Sequence, residues 1–311
     1  MYVTNGQEDV RKSEILSLMP SSLRTHMYRI NFCEAFEIRM SIGRALMVYY
    51  PDGCYYLSSA GYLTKSPQGA IKVSRSHIDE ALEIATKSSL YTSQQSICRG
   101  FITAGSGHRI GICGSGVYEK DSLVFLRDIS TLTYRLAIEK KGIAKKLFDN
   151  VYANGDTKNT LIISPPCCGK TTMLRDLVRL LSGEGLRICV VDERGEIAAM
   201  AEGKSPFDIG DSTDVLSLIP KANAMEMALR SLSPQVVACD ELGSVADALG
   251  VKNCIAGGAK VICTAHAKST DEVRLRSGVS ECFDMFDLFA VLARDTKTGE
   301  FTYTIIHREE L

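Results

Sequence analysis

The sequence lacks tryptophan, has almost no net charge and contains no long apolar run. Its 36 basic and 37 acidic side chains leave a formal net charge of −1, which disfavours proteins whose function depends on bulk basicity, such as many nucleic-acid binders. No apolar segment approaches the ~20 residues of a membrane-spanning helix, and the N-terminal segment has no apolar signal-peptide core. These absences predict a cytoplasmic protein that does not insert into a membrane and reaches one only by docking on a protein partner.

The cysteines also exclude several kinds of site. There are 11 of them, yet no two have C-x-x-C spacing, which argues against zinc-ribbon and thioredoxin-like sites. Several lie in apolar runs, such as Cys189 in RICVV and Cys239 in VVACD. A free cysteine in such a run behaves as a small buried hydrophobe of a reducing compartment.

Two halves with different patterns meet at the polar, turn-rich stretch 150–159. Before it, short alternating segments mix with helical patterns, which predicts a smaller α+β domain over residues 1–145. After it, apolar strand-like runs alternate with helical ones, which predicts a mainly parallel sheet with helices on both faces over residues 146–311. The predicted strands of the second half are Thr160–Ser164, Arg187–Asp192, Gln235–Asp240, Lys260–Thr264 and Leu288–Arg294. The predicted helices are Gly169–Leu181, Lys221–Leu232 and Ser244–Ala256.

A phosphate-loop pattern follows the first of these strands. The segment SPPCCGKTT meets the pattern G-x-x-x-x-G-K-[ST] at every defining position except the first, where serine replaces glycine. Backbone N–H groups at the start of the following helix are expected to hold a nucleoside triphosphate. The predicted nucleotide-binding residues are Ser164, Pro165, Pro166, Cys167, Cys168, Gly169, Lys170, Thr171 and Thr172.

Different residues of this phosphate loop, residues 164–172, have different expected roles. The two prolines have no N–H, so the amide donors must come from residues 167–172. Gly169 permits close backbone approach, Lys170 is expected to reach the β- and γ-phosphates, and the Thr171 hydroxyl is expected to bind Mg²⁺. The loop therefore predicts ATP and Mg²⁺ as the bound groups.

Acidic pairs end two of the later strands. Asp192 and Glu193 follow ICVV, and Asp240 and Glu241 follow VVAC in a segment of Walker B form. A carboxylate at such a strand end can hold Mg²⁺, and a neighbouring one can orient and polarise the attacking water. We assign Asp240 to the metal and favour Glu241 over Glu193 as the general base, with Glu193 kept as the alternative.

A histidine ends the next predicted strand, in the segment VICTAHA. The carboxyl ends of parallel strands lie at one edge of a sheet, where ligands of such sheets bind. Thr264 and His266 are therefore expected beside the γ-phosphate, where His266 could sense it.

The chain resembles the family of stage III sporulation AA proteins of endospore-forming bacteria. The resemblance covers the segments TLIISPPCCGKTTMLRDLVRLLS, VVDERGEIA, the stretch from DIGDSTDVLS to VVACDELG, and GAKVICTAHA, and in the first half EIRMSIGRAL, GFITAGSGHRIGICG and LRDISTLTYRLA. More distantly, the second half is similar to the ATPases of type II and type IV secretion and of pili. Serine at the first loop position is the residue expected within the sporulation family.

The resemblance implies a P-loop NTPase core of the RecA/AAA kind that works as a motor ATPase. It implies a place in the mother cell, at the cytoplasmic base of the channel that links mother cell and forespore. The expected partners are the membrane proteins of the stage III sporulation A channel complex, and the chain itself in a hexameric ring. These expectations follow from the resemblance and not from the residue pattern.

A ring ATPase needs a cation from a neighbouring domain or subunit to stabilise charge on the γ-phosphate. Such an arginine finger contributes about 10³–10⁵ in rate. Four residues are candidates for this role, Arg109, Arg127, Arg135 and Arg230.

Two other functions remain open at this point. One is a RecA-like ATPase that handles nucleic acid, against which stand the balanced charge and the absence of a basic and aromatic stripe. The other is a scaffold that binds nucleotide without hydrolysing it. The scaffold gains support only if neither glutamate affects turnover.

Overall fold

The computed structural model describes residues 5–86, 97–98, 100–104, 107–119, 121–136, 139–166, 168–200, 203–294 and 301–311. The chain groups into two compact units, Met1–Ile138 and Glu139–Leu311. The domain boundary expected between residues 145 and 146 stays a prediction. Among the described residues, no helix combines the length and the hydrophobicity needed to cross a bilayer.

The N-terminal unit is an antiparallel sheet with three described helices. Its strands are β1 Glu37–Ser41, β2 Met47–Tyr50, β3 Gly53–Leu57, β4 Leu63–Thr64, β5 Phe101–Ala104, β6 His108–Glu119 and β7 Ser122–Arg135, in the order β4-β3-β2-β1-β7-β6-β5. Its helices are α1 Asn5–Ser17, α2 Ser21–Met27 and α3 Arg75–Ala85. Alternate residues of β1 are buried, because one face of the sheet packs on the core. Helix α3 begins with a capping box at Ser74.

The C-terminal unit contains a second sheet in which all described strands except the last are parallel. Its elements are α4 Lys145–Val151, β8 Tyr152–Ala153, β9 Asp156–Thr157, β10 Thr160–Ser164, α5 Lys170–Gly183, β11 Ile188–Asp192, β12 Thr213–Ser217, α6 Lys221–Ser231, β13 Val236–Glu241, α7 Val245–Ala256, β14 Lys260–His266, α8 Thr270–Arg274, β15 Leu288–Arg294 and β16 Phe301–His307. The strand order is β12-β11-β13-β14-β10-β15-β16, and β8 and β9 form a separate small ribbon.

Both faces of this sheet are buried. Along β10, Leu161 and Ile163 join a core that includes residues of α6 and α7, whereas Ile162 joins the opposite core with residues of α4 and α5. Successive side chains of a strand point to opposite faces. This is why the strands read as continuous apolar runs and not as alternating ones.

The strand order decides which residues meet at the carboxyl edge of this sheet. Strand β14 lies between β10, which leads into the phosphate loop, and β13, which ends in the Asp-Glu pair. The register places Ser164 opposite His266 and Glu241 opposite Thr264. The loop, the histidine and the acidic pair therefore lie side by side.

Candidate active site

The phosphate loop joins the end of β10 to the start of α5. Ser164 is fully buried, and Gly169, the N-cap residue of α5, has φ +81°. A residue with a side chain is strained in this left-handed conformation, so the glycine of the pattern is required by the backbone here. The first N–H groups of a helix have no intrahelical acceptor. Those of α5 begin at the end of the phosphate loop, as an anion site requires.

The Lys170 side chain folds back over the loop. Its Nζ donates to the Ser164 carbonyl oxygen at 3.2 Å and lies 3.3 Å from the Ser164 Oγ and 3.4 Å from the Pro165 carbonyl oxygen. It also lies 2.7 Å from the Nδ1 of His266. An ammonium can only donate, so His266 Nδ1 is the acceptor. The ammonium is thus held by neutral groups at the centre of the phosphate loop.

His266 connects the loop lysine to an acidic side chain. Because its Nδ1 accepts from Lys170, the ring proton lies on Nε2, which is 3.1 Å from Glu241 Oε2. The same Glu241 oxygen lies 3.3 Å from Arg194 Nη1. Lys170, His266, Glu241 and Arg194 therefore form a continuous chain of polar contacts along the carboxyl edge of the sheet.

A second polar group lies around a buried lysine. Lys221 Nζ donates to Glu193 Oε2 at 2.8 Å and to Asp240 Oδ1, and only 3% of its side chain is exposed. Burial by itself lowers the pKa of Lys221, but the charge of Asp240 and the hydrogen bonds to both carboxylates raise it above its ordinary value. We call Glu193, Lys221 and Asp240 the lysine clamp. It joins the ends of the neighbouring strands β11 and β13 to the start of α6.

Asp240 has the properties of a ligand for a hard cation. Burial raises the pKa of its carboxyl, and the Lys221 ammonium pulls in the opposite direction. Its Oδ1 is held by Lys221, whereas its buried Oδ2 has no hydrogen-bond partner among the described residues. A buried polar atom without a partner is costly. Mg²⁺ prefers oxygen ligands, so Asp240 Oδ2 and the Thr171 hydroxyl in the first turn of α5 fit this ion.

The first acidic residue of the pair on β11 is used differently. Asp192 is fully buried, and its two carboxylate oxygens accept hydrogen bonds from the four consecutive backbone amides of residues 196–199, at 2.8–3.3 Å. The Arg175 side chain donates to carbonyl oxygens of the same segment, those of Ile197 at 2.6 Å and Glu196 at 2.7 Å. Asp192 therefore shapes the loop that carries Glu193 and Arg194, and it is not available as a metal ligand.

Replacing Asp192 by alanine should destabilise the protein. The change leaves several buried amides without their acceptor, and each such loss costs about 1–3 kcal/mol before the loop relaxes. We expect a net loss of about 2–4 kcal/mol in the free energy of unfolding, measured by urea unfolding and far-UV circular dichroism. Asp214→Ala, on the neighbouring strand and exposed, is the matched control and should change stability by about 0.5 kcal/mol or less. Equal unfolding midpoints for the two variants would contradict the structural role of Asp192.

Comparison with known proteins places this chain in a family. The family model described as "Sporulation stage III, protein AA" matches residues 9–309. Stage III sporulation protein AA of Bacillus subtilis (strain 168) is 33% identical over 297 residues, which are 92% of this chain and 92% of that protein. The chain belongs to the stage III sporulation protein AA family. The chain is also 29% identical over 182 residues to the uncharacterized protein ycf45 of Cyanidium caldarium, and the match covers 55% of the chain and 52% of ycf45.

Solved structures of an ATPase and of a pilus retraction motor share the fold of this chain. The ATPase DotB of Yersinia pseudotuberculosis superposes with a TM-score of 0.61 at 14% identity, covering 94% of this chain and 82% of DotB. The pilus retraction motor PilT with bound ADP superposes with a TM-score of 0.53 at 13% identity, covering 88% of this chain and 80% of PilT. These likenesses are consistent with a P-loop ATPase fold, and at such identities they concern the fold alone.

The structure of the chain brings most of the predicted site residues together. Strand and helix ends place Lys170, His266 and Glu241 in one chain of contacts, with Asp240 and Glu193 in the lysine clamp beside it. Of the loop residues, Cys167 lies outside the described residues. The other loop residues run from the end of β10 through the turn to the first turn of α5, namely Ser164, Pro165, Pro166, Cys168, Gly169, Lys170, Thr171 and Thr172.

The candidate arginine fingers have contacts of their own. Arg109, Arg127 and Arg135 belong to the N-terminal unit. The Arg109 guanidinium lies 4.1 Å from the Phe101 ring centroid, and Arg127 contacts Asp128. Arg230 lies in the last turn of α6, at the other end of the helix from Lys221, and pairs with Glu226. A role for any of them at the site of another subunit stays a prediction.

Sequence analysis missed Lys221 and Arg194. Each is a lone basic residue, and neither belongs to a motif of the phosphate-loop type. One signal was present for Lys221, because it follows Pro220 at the start of a predicted helix. A cation is disfavoured by the helix dipole there, which indicates that another interaction holds it.

Proposed function

We propose that the chain hydrolyses ATP to ADP and phosphate and works as a secretion-ATPase-like motor in endospore formation. The observation that carries this proposal is the side-by-side placement of Lys170, His266, Glu241 and Asp240 at the carboxyl edge of one parallel sheet. A nucleotide with its phosphates at the start of α5 would have an ammonium, a metal ligand and a carboxylate base within the same cluster. Membership in the sporulation family supports the biological setting.

Binding of ATP requires Lys170 to change partners. Its Nζ is held by two carbonyl oxygens, a hydroxyl and His266 Nδ1, all of which are uncharged or weakly basic acceptors. Phosphate oxygens are charged and form stronger, charge-assisted hydrogen bonds. We expect Lys170 to turn toward the β- and γ-phosphates, while the amides of residues 168–172 hold the phosphate oxygens. This movement removes the Lys170 contact of His266 Nδ1, which also lies 3.3 Å from the Ser164 carbonyl oxygen, so the histidine can respond to the nucleotide.

Hydrolysis needs a base that accepts a proton from the attacking water. Glu241 is suited to this role because His266 Nε2 and Arg194 fix its Oε2, which leaves the second carboxylate oxygen for water. The water oxygen attacks the γ-phosphorus, the bond to the β,γ-bridging oxygen breaks, and the water proton passes to Glu241. Mg²⁺, when bound through Asp240 and Thr171, would neutralise charge on the phosphate oxygens. Glu193 is the alternative base, and its Oε2 is likewise held, by Lys221.

The expected setting is the cytoplasm of the mother cell, on the cytoplasmic face of the channel that links mother cell and forespore. The likeness in fold to DotB and PilT supports a motor that assembles or operates this channel. We propose a homo-oligomeric ring, with the membrane proteins of the stage III sporulation A complex as partners. One of Arg109, Arg127, Arg135 and Arg230 would then act on the nucleotide of a neighbouring subunit.

Phosphate release from Mg²⁺–ATP by the purified full-length chain tests this function. If a neighbouring subunit supplies part of the site, specific activity should rise several-fold with protein concentration, in step with a rise in particle mass measured by light scattering. Activity that is independent of concentration and mass would contradict the shared site. No nucleotide binding at all would contradict the function itself, and salt-dependent stimulation by single-stranded DNA would favour the nucleic-acid-handling alternative.

A further inference from the structure

Within the lysine clamp, Lys221 has no role as part of the phosphate loop, as a metal ligand or as the base. Lys221 is the first residue of α6 and follows Pro220, its N-cap. A positive charge at this end of a helix is opposed by the helix dipole, and burial opposes it further. Helix formation therefore does not explain Lys221, whereas its contacts with Asp240 and Glu193 do.

The geometry divides the two oxygens of Asp240 between two tasks. Lys221 holds Oδ1, and the buried Oδ2 has no partner among the described residues. The same ammonium holds Glu193 Oε2 at 2.8 Å. Lys221 thus fixes the direction of Oδ2 and at the same time cancels one of the two negative charges that a cation at Asp240 would meet.

We propose that Lys221 is a positioning residue that makes metal binding at Asp240 conditional on nucleotide. The inference rests on the proposed function, because it takes Asp240 as the metal ligand. Affinity for hard divalent cations rises with the number of charged oxygen ligands. With Lys221 in place, Asp240 and Glu193 together present a net charge of about −1 and one available Asp240 oxygen, by the side-chain charges at neutral pH. The phosphates of the nucleotide supply the missing charge, so metal and nucleotide bind together.

Removal of the Lys221 ammonium should strengthen metal binding in the absence of nucleotide. In Lys221→Met the side-chain length is similar but the charge is gone, so Asp240 and Glu193 become a pair of carboxylates that attract a divalent cation. The full-length Met variant should bind Mn²⁺, used as the probe, at least about tenfold more tightly than the wild type in the absence of nucleotide. Lys221→Arg retains the charge and should bind Mn²⁺ as weakly as the wild type.

Electron paramagnetic resonance of free Mn²⁺ measures this binding directly, without any turnover. A merely structural role for Lys221 predicts weaker metal binding in the Met variant, or none, and not tighter binding. Equal Mn²⁺ affinity of the wild type and Lys221→Met without nucleotide would overturn the proposal. So would tight Mn²⁺ binding by the wild type alone.

A second arm covers the case in which Lys221→Met does not fold, as judged by circular dichroism. In that case Lys221→Gln, which also removes the charge, should bind Mn²⁺ without nucleotide at least about tenfold more tightly than the wild type, and an unchanged affinity would overturn the proposal. Binding of a fluorescent ATP analogue in the presence of a chelator separates this result from a failure of the proposed function. Loss of that binding in the wild type contradicts nucleotide binding at the phosphate loop, whereas the nucleotide-free Mn²⁺ measurement still tests Lys221.

Discussion

Replacing Lys170 by alanine should lower kcat/KM for ATP hydrolysis by about 10²–10³-fold, the loss that follows removal of one donor to developing transition-state charge. Lys170 is the loop's own side-chain cation, and its Nζ lies among the carbonyl oxygens of Ser164 and Pro165, at the end of β10 where the phosphates are expected. Alanine leaves the backbone of α5 intact, so the change isolates the ammonium. Phosphate release at several ATP concentrations gives the ratio.

Lys260→Ala is the matched control for this experiment. Lys260 begins β14, at the amino end of the strand that His266 terminates, and it pairs with Asp156. It therefore lies at the amino ends of the strands, away from the candidate site at their carboxyl ends. Its replacement should change kcat/KM by about twofold or less, as expected for a surface substitution. If Lys170→Ala retained the wild-type kcat/KM while folding normally, the phosphate loop would not be the site of hydrolysis.

Much of the fold of the C-terminal unit could be predicted because its strands are short and continuously apolar. The predicted strands Thr160–Ser164 and Leu288–Arg294 have the same bounds in the structure, and the three between them differ by one or two residues at one or both ends. The edge strands β12 and β16 were missed. The residues of β12 are exposed or half-buried, so they carry no apolar run, and β16 pairs antiparallel at the other edge.

Less of the candidate site could be predicted, because the strand order decides which of its residues are neighbours. The phosphate loop is a local pattern, and a local pattern can be read from sequence. The order β11-β13-β14-β10 is not local, and it alone determines that His266 bridges Lys170 and Glu241. Asp192 and Asp240 occupy the same kind of position in the sequence. Only the structure distinguishes the one that accepts four backbone amides from the one with an available buried oxygen.

Replacing Glu241 by glutamine should separate binding from hydrolysis. Glutamine has the shape of glutamate and its carbonyl oxygen can still accept a hydrogen bond from His266 Nε2, but it cannot take a proton from water. We expect ATP affinity to change by about threefold or less, while the single-turnover rate of hydrolysis falls about 10²–10⁴-fold, the usual contribution of a general base. Equilibrium binding of a fluorescent ATP analogue and rapid-quench measurement of phosphate give the two quantities.

Glu193→Gln in the same assay decides between the two acidic strand ends. Glu193 lies in the lysine clamp, and the side-chain oxygen of glutamine would still accept from Lys221, so its replacement should affect metal binding more than the hydrolysis step. Glu184→Gln, which alters an exposed residue just after the end of α5, controls for the change of net charge. If Glu193→Gln abolished hydrolysis while Glu241→Gln remained near the wild-type rate, the base would be Glu193. The contacts of Glu241 with His266 and Arg194 would then serve to close the site and not to activate water.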